Sequence, residues 1–285
     1  MLEIDQFSYG WLTPVLAYLM SVIGSLLALR CMVRSRANHD HRGWLFTAAV
    51  ALGGTGVWVM HFIAMLGFSV PGGTIRYDVP VTLLSAAIAI AVVWLGLSLA
   101  VRRPGEVSAL LTGGTVTGLG VAAMHYAGMW AMKTDFTMSY NPWMVLLSIV
   151  IAVVAATAAL WFALNVRGVP AAIGSAAIMG VAVSGMHYTG MFGMRAHLAG
   201  HMHAPSGAHA TQLLTPLIVG VSMVTLVLFV QVVITEISEP DLSRLRGQQA
   251  SRYWPSQADA ETEQPARARR GRTPVADPNI RRRTR

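Results

Sequence analysis

Three histidines, His61, His125 and His187, recur at intervals of 64 and 62 residues, each inside one short motif. The copies read Met60-His61-Phe62, Met124-His125-Tyr126 and Met186-His187-Tyr188, and Met65, Met129 and Met191 follow four residues after each histidine. On an α-helix, residues four apart stand about 40° from each other and about 6 Å along the axis, so each histidine shares a face with the later methionine. Met60, Met124 and Met186 point roughly 100° away and are weaker candidates for the same site. Imidazole with thioether is an informative donor set. Thioethers are poor ligands for magnesium, calcium or manganese, whereas copper accepts both donors. Zinc more often recruits cysteine or carboxylate, and neither accompanies the motifs. Copper is therefore the first expectation, and haem iron, which also takes His and Met as axial ligands, the second. A lone histidine in such a setting is most often a hydrogen-bonded core residue, and a lone methionine mere packing. Three matched pairs at one depth are harder to explain that way.

The elements that position these pairs are membrane helices. Hydrophobic residues make up 54% of the chain and charged residues 12%, about half the charge of an ordinary soluble domain. Seven stretches reach the roughly 20 apolar residues that a helix needs to cross a bilayer: 11–33, 44–68, 79–101, 107–132, 143–165, 169–194 and 213–235. No acidic or basic residue falls in the middle third of any of them. Glu3 and Asp5 precede the first, where a signal peptide would be basic, so that helix is expected to be retained.

Pro14, Pro80 and Pro142 lie 46, 44 and 44 residues before the motif methionines, each suited to a first helical turn. Leu214-Thr215-Pro216 repeats Leu12-Thr13-Pro14 and suggests a fourth start. The expected fold is thus all-α: a polytopic bundle of seven transmembrane helices, made of three tandem two-helix repeats plus one extra helix. Repeats that each cross twice share one orientation and are related by an axis along the membrane normal. The second, fourth and sixth helices should therefore meet at a pseudo-threefold axis with their histidines at one depth. Small residues beside each motif, Ala64 and Gly67, Gly128 and Ala131, Gly190 and Gly193, permit close approach. Of the 21 basic residues, 18 lie in loops and tail on one side and only Arg76, Lys133 and Arg195 on the other. The positive-inside rule then puts the N-terminus outside, the C-terminus in the cytoplasm and the histidines in the outer leaflet. The net charge of +8 follows largely from this topology, so a nucleic-acid partner is not expected.

The motifs, which include Met124-His125-Tyr126-Ala127 and Met186-His187-Tyr188-Thr189, resemble the MHYT family of bacterial integral membrane sensor domains over residues 10–235. The resemblance implies a multi-pass protein of the bacterial cytoplasmic membrane. It also implies one or two copper ions held by motif Met and His residues, and sensing of a diatomic gas (oxygen, carbon monoxide or nitric oxide). Tyr126 and Tyr188 are then candidate contacts to the bound group, and Phe62 departs from the pattern by lacking their hydroxyl.

Residues 236–285, rich in Arg, Pro and Gln, are expected to form a disordered basic tail held by anionic lipid headgroups or docked to a separate cytoplasmic signalling partner. His197, His201, His203 and His209, with Met202, form a His-rich outer loop that either captures metal or is simply polar. His39 and His41, beside Asp40, read as solvated loop residues, and Cys31, the single cysteine, as a packed one. A sensor is the leading reading and a copper or small-solute transporter the alternative. Catalysis is not expected, because no general acid or base accompanies the histidines in the helices.

Overall fold

The structure, a computed structural model, describes residues 2–37, 41–198 and 205–253. The chain divides into two units, Met1–Val232 and Val233–Arg285. Among the described residues the first holds seven helical segments long and apolar enough to cross a membrane, and the chain is a membrane protein. Its helices are α1 (Leu12–Ala37), α2 (His41–Ala49), a π-helical segment (Val50–Val59), α3 (Met60–Leu66), α4 (Val79–Arg102), α5 (Val107–Trp130), α6 (Pro142–Asn165), α7 (Val169–Phe192) and the apolar start of α8 (Ala210–Tyr253). α2, the π segment and α3 together make the second span.

Two helix starts follow their sequence signals closely. Asp78 caps α4 by accepting from the Val81 N–H, and Asn141 caps α6 by accepting from the Trp143 N–H; Pro80 and Pro142 sit within the next two positions. The side-chain oxygens and the prolines settle N–H groups that have no partner inside the helix. α1 packs against the second span and α7, α4 against the second span and α5, and α6 against α5 and α7. The three motif-bearing spans therefore alternate with α1, α4 and α6 around the bundle.

Three features differ from the expectations. The second span is not a continuous α-helix, because Leu52-Gly53-Gly54-Thr55-Gly56 lies in the π segment. Glycine is a poor helix former, and here its missing Cβ matters more: a Cβ on Gly53 would stand 2.6 Å from the Ala89 carbonyl oxygen. The wider i→i+5 turn also holds more residues per unit rise, in the repeat whose proline-to-motif interval is 46 residues against 44 in the others. Pro216 does not start the last span, since α8 is already helical from Ala210. Residues 236–253 of the expected tail continue α8; the run 241–250 is rich in Leu, Arg, Gln and Ala, which favour helix without a core to bury. Residues 254–285 lie outside the described residues.

Short strands also join the helices at the motif end. β1 (Ile75–Tyr77) pairs with β2 (Met132–Thr134) and with β5 (Ala208–His209), and β3 (Phe136–Tyr140) pairs with β4 (Met194–Leu198), all antiparallel. The three connecting loops are thereby tied each to the other two. The N-terminal segment joins them through bridges Leu2–Ala196 and Asp5–Ser69.

Candidate metal centre

Each histidine sits in the last turns of its span, where three inner helices converge. His61, His125 and His187 are at most 1% exposed. Their ring centroids form a nearly equilateral triangle with sides of 4.9, 5.0 and 5.1 Å, and the rings stand 76–86° to one another like propeller blades. The Nδ1 atoms face inward: His61 to His187 is 2.9 Å and His125 to His61 is 3.2 Å. One nitrogen from each ring lies within 4.8 Å of the others. The meeting of three imidazoles at one depth is what the parallel repeats require.

The outward nitrogens explain the small residues. A Cβ on Gly190 would come within 2.5 Å of His125 Nε2, and one on Gly128 would overlap His61 Nε2. His61 thus lies across α5 and His125 across α7, each over the position three after that helix's own histidine. The first repeat has Ala64 at that position. All three Nε2 atoms are buried without a hydrogen-bond partner. Leaving such groups unpaired costs roughly 1–3 kcal/mol each, so bringing the three imidazoles together here works against stability rather than for it.

The six motif methionines, Met60, Met65, Met124, Met129, Met186 and Met191, are all buried at 2% exposure or less. Tyr126 turns its hydroxyl to Ser148 on α6, at 2.6 Å, and so engages the surrounding ring of helices. The Tyr188 hydroxyl is buried without a partner. In the first repeat, Phe62 cannot make the bond of Tyr126, but Trp58 donates its indole N–H to Ser85 on α4 at 3.0 Å. Ser85 and Ser148 stand at the same place, seven residues after the caps Asp78 and Asn141. Aligning the repeats could have singled out these serines; the substitution of Trp58 for the missing phenol has no sequence signal.

Each motif aromatic also carries an aromatic from the covering segments: Tyr77 on Phe62, Tyr140 on Tyr126 and Phe7 on Tyr188. Burial pushes the Tyr77 phenol upward, and burial with the neighbouring Tyr126 does the same at Tyr140, so both stay neutral. Of the outer-loop histidines, His197 lies in β4 with its Nε2 3.1 Å from the Ser139 hydroxyl, and His209 lies in β5 opposite Arg76. His201, Met202 and His203, like His39 and Asp40, lie outside the described residues. His41 opens α2 with its Nδ1 2.8 Å from the Ser35 carbonyl, and Cys31 is buried.

The family comparison agrees with the motif. The model of the MHYT family, described as a bacterial signalling protein N-terminal repeat, matches residues 54–113 and 118–176, so this stretch of the membrane region carries two repeats of that family. The chain is 37% identical over 191 residues to MucR of Pseudomonas aeruginosa, a bifunctional diguanylate cyclase/cyclic di-GMP phosphodiesterase, covering 65% of this chain and 28% of that one. It is 38% identical over 196 residues to NbdA, a cyclic di-GMP phosphodiesterase of the same organism, covering 66% and 25%. It is 30% identical over 219 residues to the signalling protein YkoW of Bacillus subtilis, covering 71% and 26%. The chain therefore spans about a quarter of the length of the curated relatives it matches. No solved structure matches it.

Proposed function

We propose that residues 10–235 are a membrane-embedded sensory domain whose receptor element is a copper ion held by Nδ1 of His61, His125 and His187. The observation that carries this reading is the convergence of three buried, neutral-capable donors on one point. Metal–imidazole bonds of roughly 2.0 Å place three donors about 3.3–3.5 Å apart, close to the separations of 2.9 and 3.2 Å found here. Three imidazoles hold a cation without burying carboxylates, and soft thioethers on the same helix faces favour copper. Met65, Met129 and Met191 are the supporting or second-site ligands, and Met60, Met124 and Met186 the remaining motif thioethers. Haem fits poorly, because Gly128 and Gly190 already lie against His61 and His125 and leave a porphyrin no slot.

Bound there, copper would supply a redox-active centre open to a small ligand such as a diatomic gas. The chain's own part is to fix three rings by packing, to exclude water and to keep the inward nitrogens free of protons. A sensing role is supported by the family's description as a signalling repeat and by relatives named as signalling proteins. The signal passes, in this reading, to a separate cytoplasmic partner. In this reading the protein sits in the bacterial cytoplasmic membrane with its N-terminus outside and C-terminus inside. A reporter fused after Arg285 is then active only in the cytoplasm and one inserted near Gly207 only outside.

The deciding experiment is metal analysis after loading with Cu(I) under reducing conditions. Wild-type protein should hold stoichiometric copper, and the variant His61→Ala/His125→Ala/His187→Ala none. Replacing His197, His201, His203 and His209 should at most slow loading. Full occupancy in the triple variant would move the site elsewhere, and no metal in the wild type would return the triad to structural hydrogen bonding. Copper flux into vesicles bearing the protein would replace the sensor with a transporter.

A further inference from the structure

We infer that the histidine triad is approached from within the bilayer, through an apolar cavity beneath it that takes up a small apolar molecule of about the size of xenon or dioxygen. One helical turn before each histidine stands a valine: Val57, Val121 and Val183, each four residues before its own histidine. All three line one cavity of about 40 Å³. The valines therefore form a layer directly below the imidazoles, on the side facing the middle of the membrane.

The cavity has a local cause. Counting from the matching serines Ser85 and Ser148, α4 presents Val93 where α6 presents Ala156. Ala152, Ala155 and Ala156 leave unfilled the space that a larger side chain would take. A space of 10–15 Å³ or more can hold a water, but only with about two to four polar partners. Here the one polar side chain in the lining is Thr117, whose hydroxyl is directed at the Val92 carbonyl at 3.4 Å. The volume suits a diatomic or a noble-gas atom, and the lining disfavours water.

The two sides of the triad offer different access. Toward the C-terminal ends of the motif helices lie the buried Met65, Met129 and Met191, then the paired loops and the N-terminal segment, whose Gln6 amide donates to the Met191 carbonyl. On the cavity side, Ala155 and Val183 are only half-buried, and their neighbours Val154 and Val181 are 63% and 61% exposed where lipid would lie. Apolar gases partition into lipid, so the α6–α7 seam is the short route from the bilayer to the valine layer. This rests on the copper reading only for what the molecule meets at the end of its path.

Xenon tests the cavity without any metal. A xenon-pressurised crystal of metal-free wild-type protein should show xenon among Val57, Val121 and Val183, and Ala156→Leu should abolish it. In Cu(I)-loaded protein, Ala156→Leu should slow carbon monoxide association at least tenfold at unchanged copper stoichiometry, while Gln6→Ala at the covering end leaves the rate as it was. Val121→Ile, which adds one methylene, is the milder filling variant if Ala156→Leu does not fold. Absence of xenon from the cavity, or carbon monoxide binding at the wild-type rate in the filled protein, overturns the inference. Xenon bound in a protein that fails to load copper would sink the metal reading alone.

Discussion

The second span and its counterparts α5 and α7 carry the same motif, yet they are built differently. In the second span 89% of the most apolar 18-residue stretch is buried, against 39% in α5 and 33% in α7. It is π-helical where they are α-helical, it lacks the motif phenol, and α8 lies over it, with Thr225 and Thr55 hydroxyls 2.5 Å apart and Val221 near Gly54. At the histidines, however, the triangle is regular to 0.2 Å between its longest and shortest sides (5.1 and 4.9 Å). Symmetry has been kept where three side chains must meet and lost where a seventh helix covers one repeat.

The sharpest challenge to that comparison is to remove the histidines singly. If the first repeat is an equal member, His61→Ala, His125→Ala and His187→Ala should each weaken copper binding by tenfold or more in a Cu(I) competition titration. Retained affinity in His61→Ala alone would show that the regular triangle hides an unequal site.

Steric substitutions come next. Gly128→Ala and Gly190→Ala should each destabilise the protein by about 1–3 kcal/mol, because the new methyl meets an imidazole in a packed core. Gly53→Ala should do likewise against the Ala89 carbonyl. Gly174→Ala and Gly185→Ala meet open space and should change stability by no more than about 0.5 kcal/mol. Thermal unfolding in detergent ranks the five, and a neutral Gly190→Ala would contradict the placement of His125.

Smaller effects probe the compensated hydrogen bond. Ser148→Ala and Ser85→Ala each remove the serine partner of one bond, to Tyr126 and to Trp58, and should each cost about 1 kcal/mol. Unequal losses would mean that Trp58 does not stand in for the missing phenol. The least effect is expected at the α8 contact, where Thr225→Val should cost about 0.6 kcal/mol, the average for a hydrogen bond between membrane helices. A larger loss would make α8 part of what holds the π segment in shape.

Much of this architecture was legible in the chain. The apolar runs gave the seven spans, because a helix in lipid must satisfy its backbone internally and the required length is fixed by bilayer thickness. Pro80 and Pro142 marked helix starts, because proline suits a first helical turn, whereas Pro216 misled, since nothing local says that β5 ends at His209 and helix follows at once. The spacing of 64 and 62 residues put His61, His125 and His187 at one depth on parallel repeats. The π segment could be suspected from Gly53, Gly54 and Gly56, but glycine serves close packing and loops equally well. The paired loops were missed because strands of two to five residues carry too little alternation to read.

What the sequence by itself determined was therefore periodic or local: hydrophobic length, repeat spacing, helix-opening prolines, and the pairing of imidazole with thioether on one helix face. Only the tertiary structure decided which ring nitrogen faces inward, that Gly128 and Gly190 make room for the neighbouring repeats' imidazoles, that Trp58 replaces a phenol at Ser85, and that α6 leaves a cavity under the valine layer. Those outcomes depend on how helices far apart in sequence rotate and approach, to within the width of a methyl group, and no single segment encodes its neighbour's position.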